Sequence, residues 1–286
     1  MNTRSNENRL GANPPVTEEN SEPILETGTL KFITPTEFVE LPSKGQFYTP
    51  DNPLHGQGVV EIKHMTAKEE DILTSVTLLK KGMALERMLE NILVDKRIKV
   101  NDLLLGDKNA LIIAARAHAY GTIYETSVNC PQCESTQEYS FDLDSLELQF
   151  PTEKRIEEHD VKKTEEGTFL VPLPKTQYTV EVKFLNGHDE KKVLRTQEHK
   201  KKRNFPETTV TDFLRFVIVS VNGIREPSPL NEFINTLPAL HTRYIRKVYD
   251  DLIPSLDMKH PFGCSECGYE GTMEVPLTAN FFWFNA

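Results

Sequence analysis

Four cysteines fall in this 286-residue chain as two identical spacings, Cys130-Pro131-Gln132-Cys133 and Cys264-Ser265-Glu266-Cys267. A CxxC turn can point two thiolates at one metal ion, and two such turns complete a tetrahedral four-sulfur zinc site. A site closed by four thiolates has no open position for water, so the chemistry implied is structural. A redox CxxC would sit at a helix start in a βαβ setting, which neither pair has. Disulfides require an oxidising compartment, and the polar N-terminus lacks the apolar core of a signal peptide. Unpaired thiols are the remaining alternative. The expectation is one structural Zn²⁺ per chain, held by Cys130, Cys133, Cys264 and Cys267.

The flanks of each pair must present it. Val128 precedes the first, and Gln137 to Phe141 follow with strand-like alternation. Gly263 precedes the second, and residues 268–275 follow in the same style. Each half reads as a strand, a knuckle and a returning strand, which is half of a zinc ribbon. A compact ribbon spaces its pairs by about 15–20 residues, but here 130 residues separate Cys133 from Cys264. The intervening segment must therefore be a domain whose ends meet at the metal. The four sulfurs should converge in one coordination sphere, each about 2.3 Å from zinc.

A chain with 38 % hydrophobic and 27 % charged residues can bury a sizeable core. A net charge of −10 argues against a general nucleic-acid binder. No apolar run reaches the eighteen or so residues of a membrane span. A reducing cytoplasm, where thiolates stay available, is the expected compartment.

Residues 1–28 are polar and poor in large apolar side chains, as expected of a disordered tail. Residues 29–125 read as a looped, helical region. Thr66 with Glu69 forms a capping box for a helix carrying Ile72, Leu73, Val76 and Leu79 towards Gly82. Glu69, Glu70 and Asp71 read as its charged first turn rather than as catalytic carboxylates. Helices follow over 84–92 and 108–120, the second containing Arg116, expected to meet a structural carboxylate, and His118. Residues 126–150 hold the first half-ribbon. The insert, 151–257, reads as a solvated connector to Gly167, a hairpin over 168–184, a helix from Thr208 or Thr209 to Val221, a short helix at 230–235 and a last helix over 238–252, with Leu240 on its apolar face. His199 to Arg203 form a dense basic patch, either a solvated helix end or a site for an acidic partner. Residues 258–286 hold the second half-ribbon and the aromatic run Phe281-Phe282-Trp283-Phe284, expected to dock into the protein's own groove. The fold class is α+β: an N-terminal helical region beside a split four-cysteine ribbon, with a mixed hairpin-and-helix subdomain inserted between its halves.

The order of several motifs resembles a known family. They are Leu41-Pro42-Ser43-Lys44-Gly45-Gln46-Phe47-Tyr48, Met65 to Leu73, Arg116, Tyr120-Gly121-Thr122-Ile123-Tyr124, the first CxxC, Leu214 to Gly223, Leu237 to Arg246, the second CxxC and the terminal Phe-Phe-Trp. Over about residues 38–286 the chain resembles the baseplate proteins of T4-like contractile-tailed bacteriophages, whose members are hub subunits and hub-assembly factors. The resemblance implies assembly rather than catalysis, with other hub or tail proteins as partners and no small-molecule substrate or membrane. It implies action in the host cytoplasm during assembly, with or without retention in the virion. No HExxH, GxSxG, Walker loop or GxGxxG supports an enzyme. The alternative is a zinc-ribbon nucleic-acid-binding or regulatory protein, resting on the basic patch.

Overall fold

The computed structural model describes residues 33–203, 205–206, 208–277 and 279–282. The expected tail and the aromatic residues Trp283 and Phe284 lie outside them. Among the described residues the chain is a mixed α+β protein with nine α-helices and five small antiparallel sheets.

The described part begins with β1 (Thr36–Glu40) and β2 (Val59–Lys63), paired antiparallel from Thr36 opposite Lys63 to Glu40 opposite Val59. Three helices follow, α1 (Ala67–Thr74), α2 (Val76–Lys80) and α3 (Ala84–Ile92). Thr66 and Glu69 close the capping box that starts α1. The single helix expected as far as Gly82 is broken at Ser75, whose extended backbone separates α1 from α2. No residue of α2 is buried, so no packing holds the two segments in one continuous rod.

Helix α4 (Leu105–Tyr120) begins a turn earlier than its apolar run suggests. At about 1.5 Å per residue, its sixteen residues span about 24 Å. Its C-terminus stops at Gly121, at φ 89°, and delivers β3 (Ile123–Asn129), which pairs with β4 (Thr136–Asp142). Near its N-terminus, Gly106 lies against the Pro254 carbonyl. Pro254 immediately precedes β10 (Ser255–Leu256), which pairs with β5 (Leu148–Gln149). A Cβ at Gly106 would overlap that carbonyl oxygen, so Gly106→Ala is expected to cost about 2–3 kcal/mol, read as a lower urea midpoint.

Residues 153–167 are more ordered than a solvated connector. Thr152 caps α5 (Glu153–Glu158), and β6 (Lys162–Lys163) joins a sheet. Val161 is buried, and His159 bonds Asp251 at 2.8 Å, so the segment has anchors its overall polarity hides. The sheet runs β6, β7 (Phe169–Pro172), β8 (Thr179–Val182), β9 (Ile218–Val221). Between β8 and β9 come α6 (Gly187–Lys202) and α7 (Thr209–Val217). The helix expected to reach Val221 therefore ends four residues early. Ile218-Val219-Ser220-Val221 is β-branched at three of four positions, and it supplies the strand that β8 needs on its open side.

Two helices complete this region, α8 (Pro227–Thr236), with Pro227 at its first position, and α9 (Ala239–Leu252). Leu240, placed on the apolar face by spacing, is 67 % exposed; His241 takes the buried position beside it. The chain then passes through β10 to β11 (Lys259–Gly263) and β12 (Glu270–Glu274).

One hydrophobic cluster joins these parts. The Phe47 ring, from the loop between β1 and β2, meets Phe169 of β7 at 5.6 Å and Phe184 edge-on at 5.2 Å. The same loop is pinned to α4 by a buried carboxylate. Asp107 accepts from the Ser43 backbone N–H at 2.9 Å, the Ser43 hydroxyl at 2.6 Å and the Tyr48 hydroxyl at 2.7 Å. Tyr48 accepts in turn from the Leu104 N–H. Burial pushes the Asp107 carboxyl up, against three hydrogen bonds that favour its charged form.

Candidate metal centre

Each cysteine pair sits at the tip of an antiparallel hairpin. In the first, β3 and β4 pair from Ile123 opposite Asp142 to Asn129 opposite Thr136, which leaves residues 130–135 as the turn. The Cys130 N–H donates to the Ser135 carbonyl at 2.9 Å, and the Glu134 N–H donates back to the Cys130 carbonyl at 2.9 Å. The second tip repeats the plan: the Cys264 N–H donates to the Tyr269 carbonyl at 2.8 Å, and the Gly268 N–H to the Cys264 carbonyl at 3.1 Å. The residue four past the first cysteine has positive φ in both, 59° at Glu134 and 70° at Gly268. The same two-bond loop thus turns both thiols of each pair to one side.

The hairpins pack against each other through contacts the spacing did not reveal. Gln137 donates from its side-chain amide to the Gly263 carbonyl at 3.0 Å and accepts from the Ser265 N–H at 3.1 Å. Tyr139 donates to the Pro261 carbonyl, and its ring lies 5.4 Å from that of Phe262. A polar clamp near the tips and an aromatic layer below them fix how the two turns face.

All four sulfurs, those of Cys130, Cys133, Cys264 and Cys267, lie within 4.8 Å of one another. Two contacts cross between the hairpins, with Cys130 Sγ 3.7 Å from Cys267 Sγ and Cys133 Sγ 3.8 Å from Cys264 Sγ. A regular tetrahedron with metal–sulfur bonds of about 2.3 Å has edges of about 3.8 Å. All four thiols are free rather than bonded as disulfides. The sulfur set fits a metal ion in number, donor type and spacing.

Backbone and hydroxyl donors favour the thiolates of Cys264 and Cys133, whereas at Cys267, against the Tyr269 N–H, burial and the neighbouring sulfurs push the thiol up to about 12. The Cys267 N–H, then the Ser135 hydroxyl, hold the Cys264 thiol down to about 6. The Ser135 hydroxyl also lowers Cys133, from 3.0 Å. Ser135 and Gln137 were not legible in the sequence; only the hairpin register shows that one faces the sulfurs and the other the opposite tip.

The remaining expected residues are structural. Among its contacts, Arg116 meets carbonyls and rings. It donates to the Phe281 carbonyl at 2.9 Å and the Gly121 carbonyl at 2.9 Å, with Tyr124 and Phe281 flanking its guanidinium. The helix stop at Gly121 and the returning C-terminal segment present carbonyls that need donors. Phe281 and Phe282 are 1 and 4 % exposed, so this part of the aromatic run docks into the protein's own body. Arg116→Ala is expected to lower stability by about 2–3 kcal/mol and expose the C-terminal segment to proteolysis, with Arg116→Lys recovering little, since an ammonium cannot span both carbonyls. His118 bonds Glu37 at 2.8 Å. Glu69 caps α1, and Glu70 accepts from Tyr120.

Among the described residues, two cysteine-bearing hairpins in a mixed α+β body bring four thiols together as the concentrated chemical feature. Comparison with known proteins gives this class a family. The model of the family described as T4 bacteriophage base plate protein matches residues 34–283, and the chain belongs to that family. No curated protein and no solved structure is a significant match. The family is one of structural baseplate proteins, which places this chain among bacteriophage tail components that associate with other baseplate or tail proteins. Among the described residues no helix is long and apolar enough to cross a membrane.

Proposed function

We propose that this chain is a non-catalytic structural or chaperone-like protein of baseplate hub assembly in a contractile-tailed phage, with one structural Zn²⁺ joining its distant hairpins. The observation that carries the reading is the convergence of Cys130, Cys133, Cys264 and Cys267 from two tips 130 residues apart in sequence. On this reading the four cysteines are the ligands, and zinc supplies a cross-link and no reactive centre. Residues 126–150 and 258–286 are then the two halves of one ribbon, and 151–257 is the insert whose ends the metal closes. The partners are other hub or tail proteins, met in the host cytoplasm during assembly.

The alternative, a ribbon that binds nucleic acid, has charge against it. Glu125, Glu134, Glu138, Glu266, Glu270 and Glu274 are all exposed on the two hairpins. Residues 123–142 and 259–275 contain a single Lys or Arg, Lys259. Phosphate binding needs the opposite sign.

Phage carrying Cys130→Ser together with Cys264→Ser test the reading. Their lysates should contain tail intermediates without completed hubs when viewed by electron microscopy. Mass spectrometry of purified wild-type particles then separates a retained subunit from an assembly factor. Normal yields of infectious particles from the double variant would refute the structural role of the site.

A further inference from the structure

From Val193 on, α6 half-buries a single stripe among the described residues, Val193, Thr196 and Lys200, where Lys200 reaches Thr208 and Asp212 at the start of α7. Only Gly187 and Asp189, at its first turn, are buried. From Lys191 to Arg203 the chain carries seven Lys and Arg residues against one acid, Glu198. Lys191 is held by Glu86 and Lys200 by Asp212. Arg195, Lys201 and Arg203 make no ion pair among the described residues. Offsetting the helix macrodipole accounts for cations in the last turn, but Arg195 lies two turns from the end. Leu194 and Phe205 stand beside these charges, 53 and 54 % exposed. Exposed apolar side chains set among unpaired cations have the composition of a docking surface rather than of a solvated end.

The complementary surface lies on the same chain. The two cysteine-bearing hairpins expose six glutamates, none of which forms an ion pair with α6 or any other element among the described residues. Among the described residues the chain thus carries a basic and an acidic surface, and Arg195, Lys201, Arg203 and the six glutamates have no ion-pair partner within a single copy. We propose that α6 of one copy docks on the cysteine-bearing hairpins of a second copy. Like charges oppose helix-to-helix and hairpin-to-hairpin pairing, so the contact joins helix to hairpin. Such a contact is either reciprocated in a two-fold dimer or repeated head-to-tail into a ring or an array.

Sedimentation velocity of the full chain tests this at about 0.05 M and about 0.5 M NaCl, where the screening length falls several-fold. Association at low salt and its loss at high salt are expected. Neutralising the helix (Arg195→Gln, Lys201→Gln, Arg203→Gln) or the hairpins (Glu138→Gln, Glu270→Gln) should each weaken association about tenfold or more. These positions are exposed, so unchanged melting curves verify that both variants fold. Mixing the two variants is the decisive arm. Each retains the surface the other lacks, so together they should form a one-to-one pair that grows no further. A chain that stays monomeric at low salt, association that both variants retain, or a mixture of non-associating variants would each overturn the proposal.

Discussion

Replacing either Cys130 or Cys264 by serine is expected to release the metal completely and lower the melting temperature by roughly 10–20 °C. The magnitude follows from loop closure. A cross-link spanning the 130 residues between the knuckles removes about 5 kcal/mol of chain entropy from the unfolded state, if a metal bridge acts as a disulfide of that span would. In a chain of this size each kcal/mol shifts the melting temperature by about 2–4 °C. The two substitutions should have equal effects, since either leaves three sulfurs where four are needed. Together they should cost little more than one alone, because both break the same link. Chelation of the wild-type protein should reproduce the shift. Differential scanning calorimetry reads all of these, and additive losses would mean that the two pairs act separately.

Substituting Asp107 by alanine is expected to cost about 3–5 kcal/mol, an effect comparable to metal loss though it lies far from the sulfurs in sequence. Three buried donors, the N–H and hydroxyl of Ser43 and the hydroxyl of Tyr48, would lose their only acceptor in this network. The cost of an orphaned buried donor is about 1–3 kcal/mol, and some relief would come from the loop moving outward. Ser43→Ala removes one donor and leaves the carboxylate with two, so it should cost only about 1–2 kcal/mol. Limited proteolysis should show new cleavage between residues 41 and 58 in Asp107→Ala, with the hairpins still intact. A change below about 1 kcal/mol in chemical denaturation would contradict the assignment of this network as the anchor of the loop.

The parts legible in the sequence are those set by local rules. Thr66 and Glu69 announce the start of α1 because the capping box is a four-residue device. Residues 84–92 form α3 with the bounds that apolar spacing gives. The two knuckles could be placed because CxxC fixes donor type and spacing, and both hairpins were visible as alternating flanks.

What stayed hidden depends on partners distant in sequence. Ile218 to Val221 leave a helix for a strand because β8 waits beside them, a fact absent from those four residues. Asp107 reads as an ordinary first-turn acid until the loop from Ser43 to Tyr48 folds over it. Nothing around Arg116 in the sequence announces the Phe281 carbonyl that it meets. Gln137 is one polar residue among many in β4 until Gly263 and Ser265 arrive opposite it. In each instance the deciding interaction spans between 36 and 165 residues, so no local window contains it.

Metal content of the purified protein tests the central claim most directly, by mass spectrometry under native and then denaturing conditions. One zinc per folded chain, absent after unfolding and absent alike from Cys130→Ser and Cys264→Ser, is the predicted result. A folded, metal-free protein with four titratable thiols, or zinc retained when either pair is disabled, would contradict it.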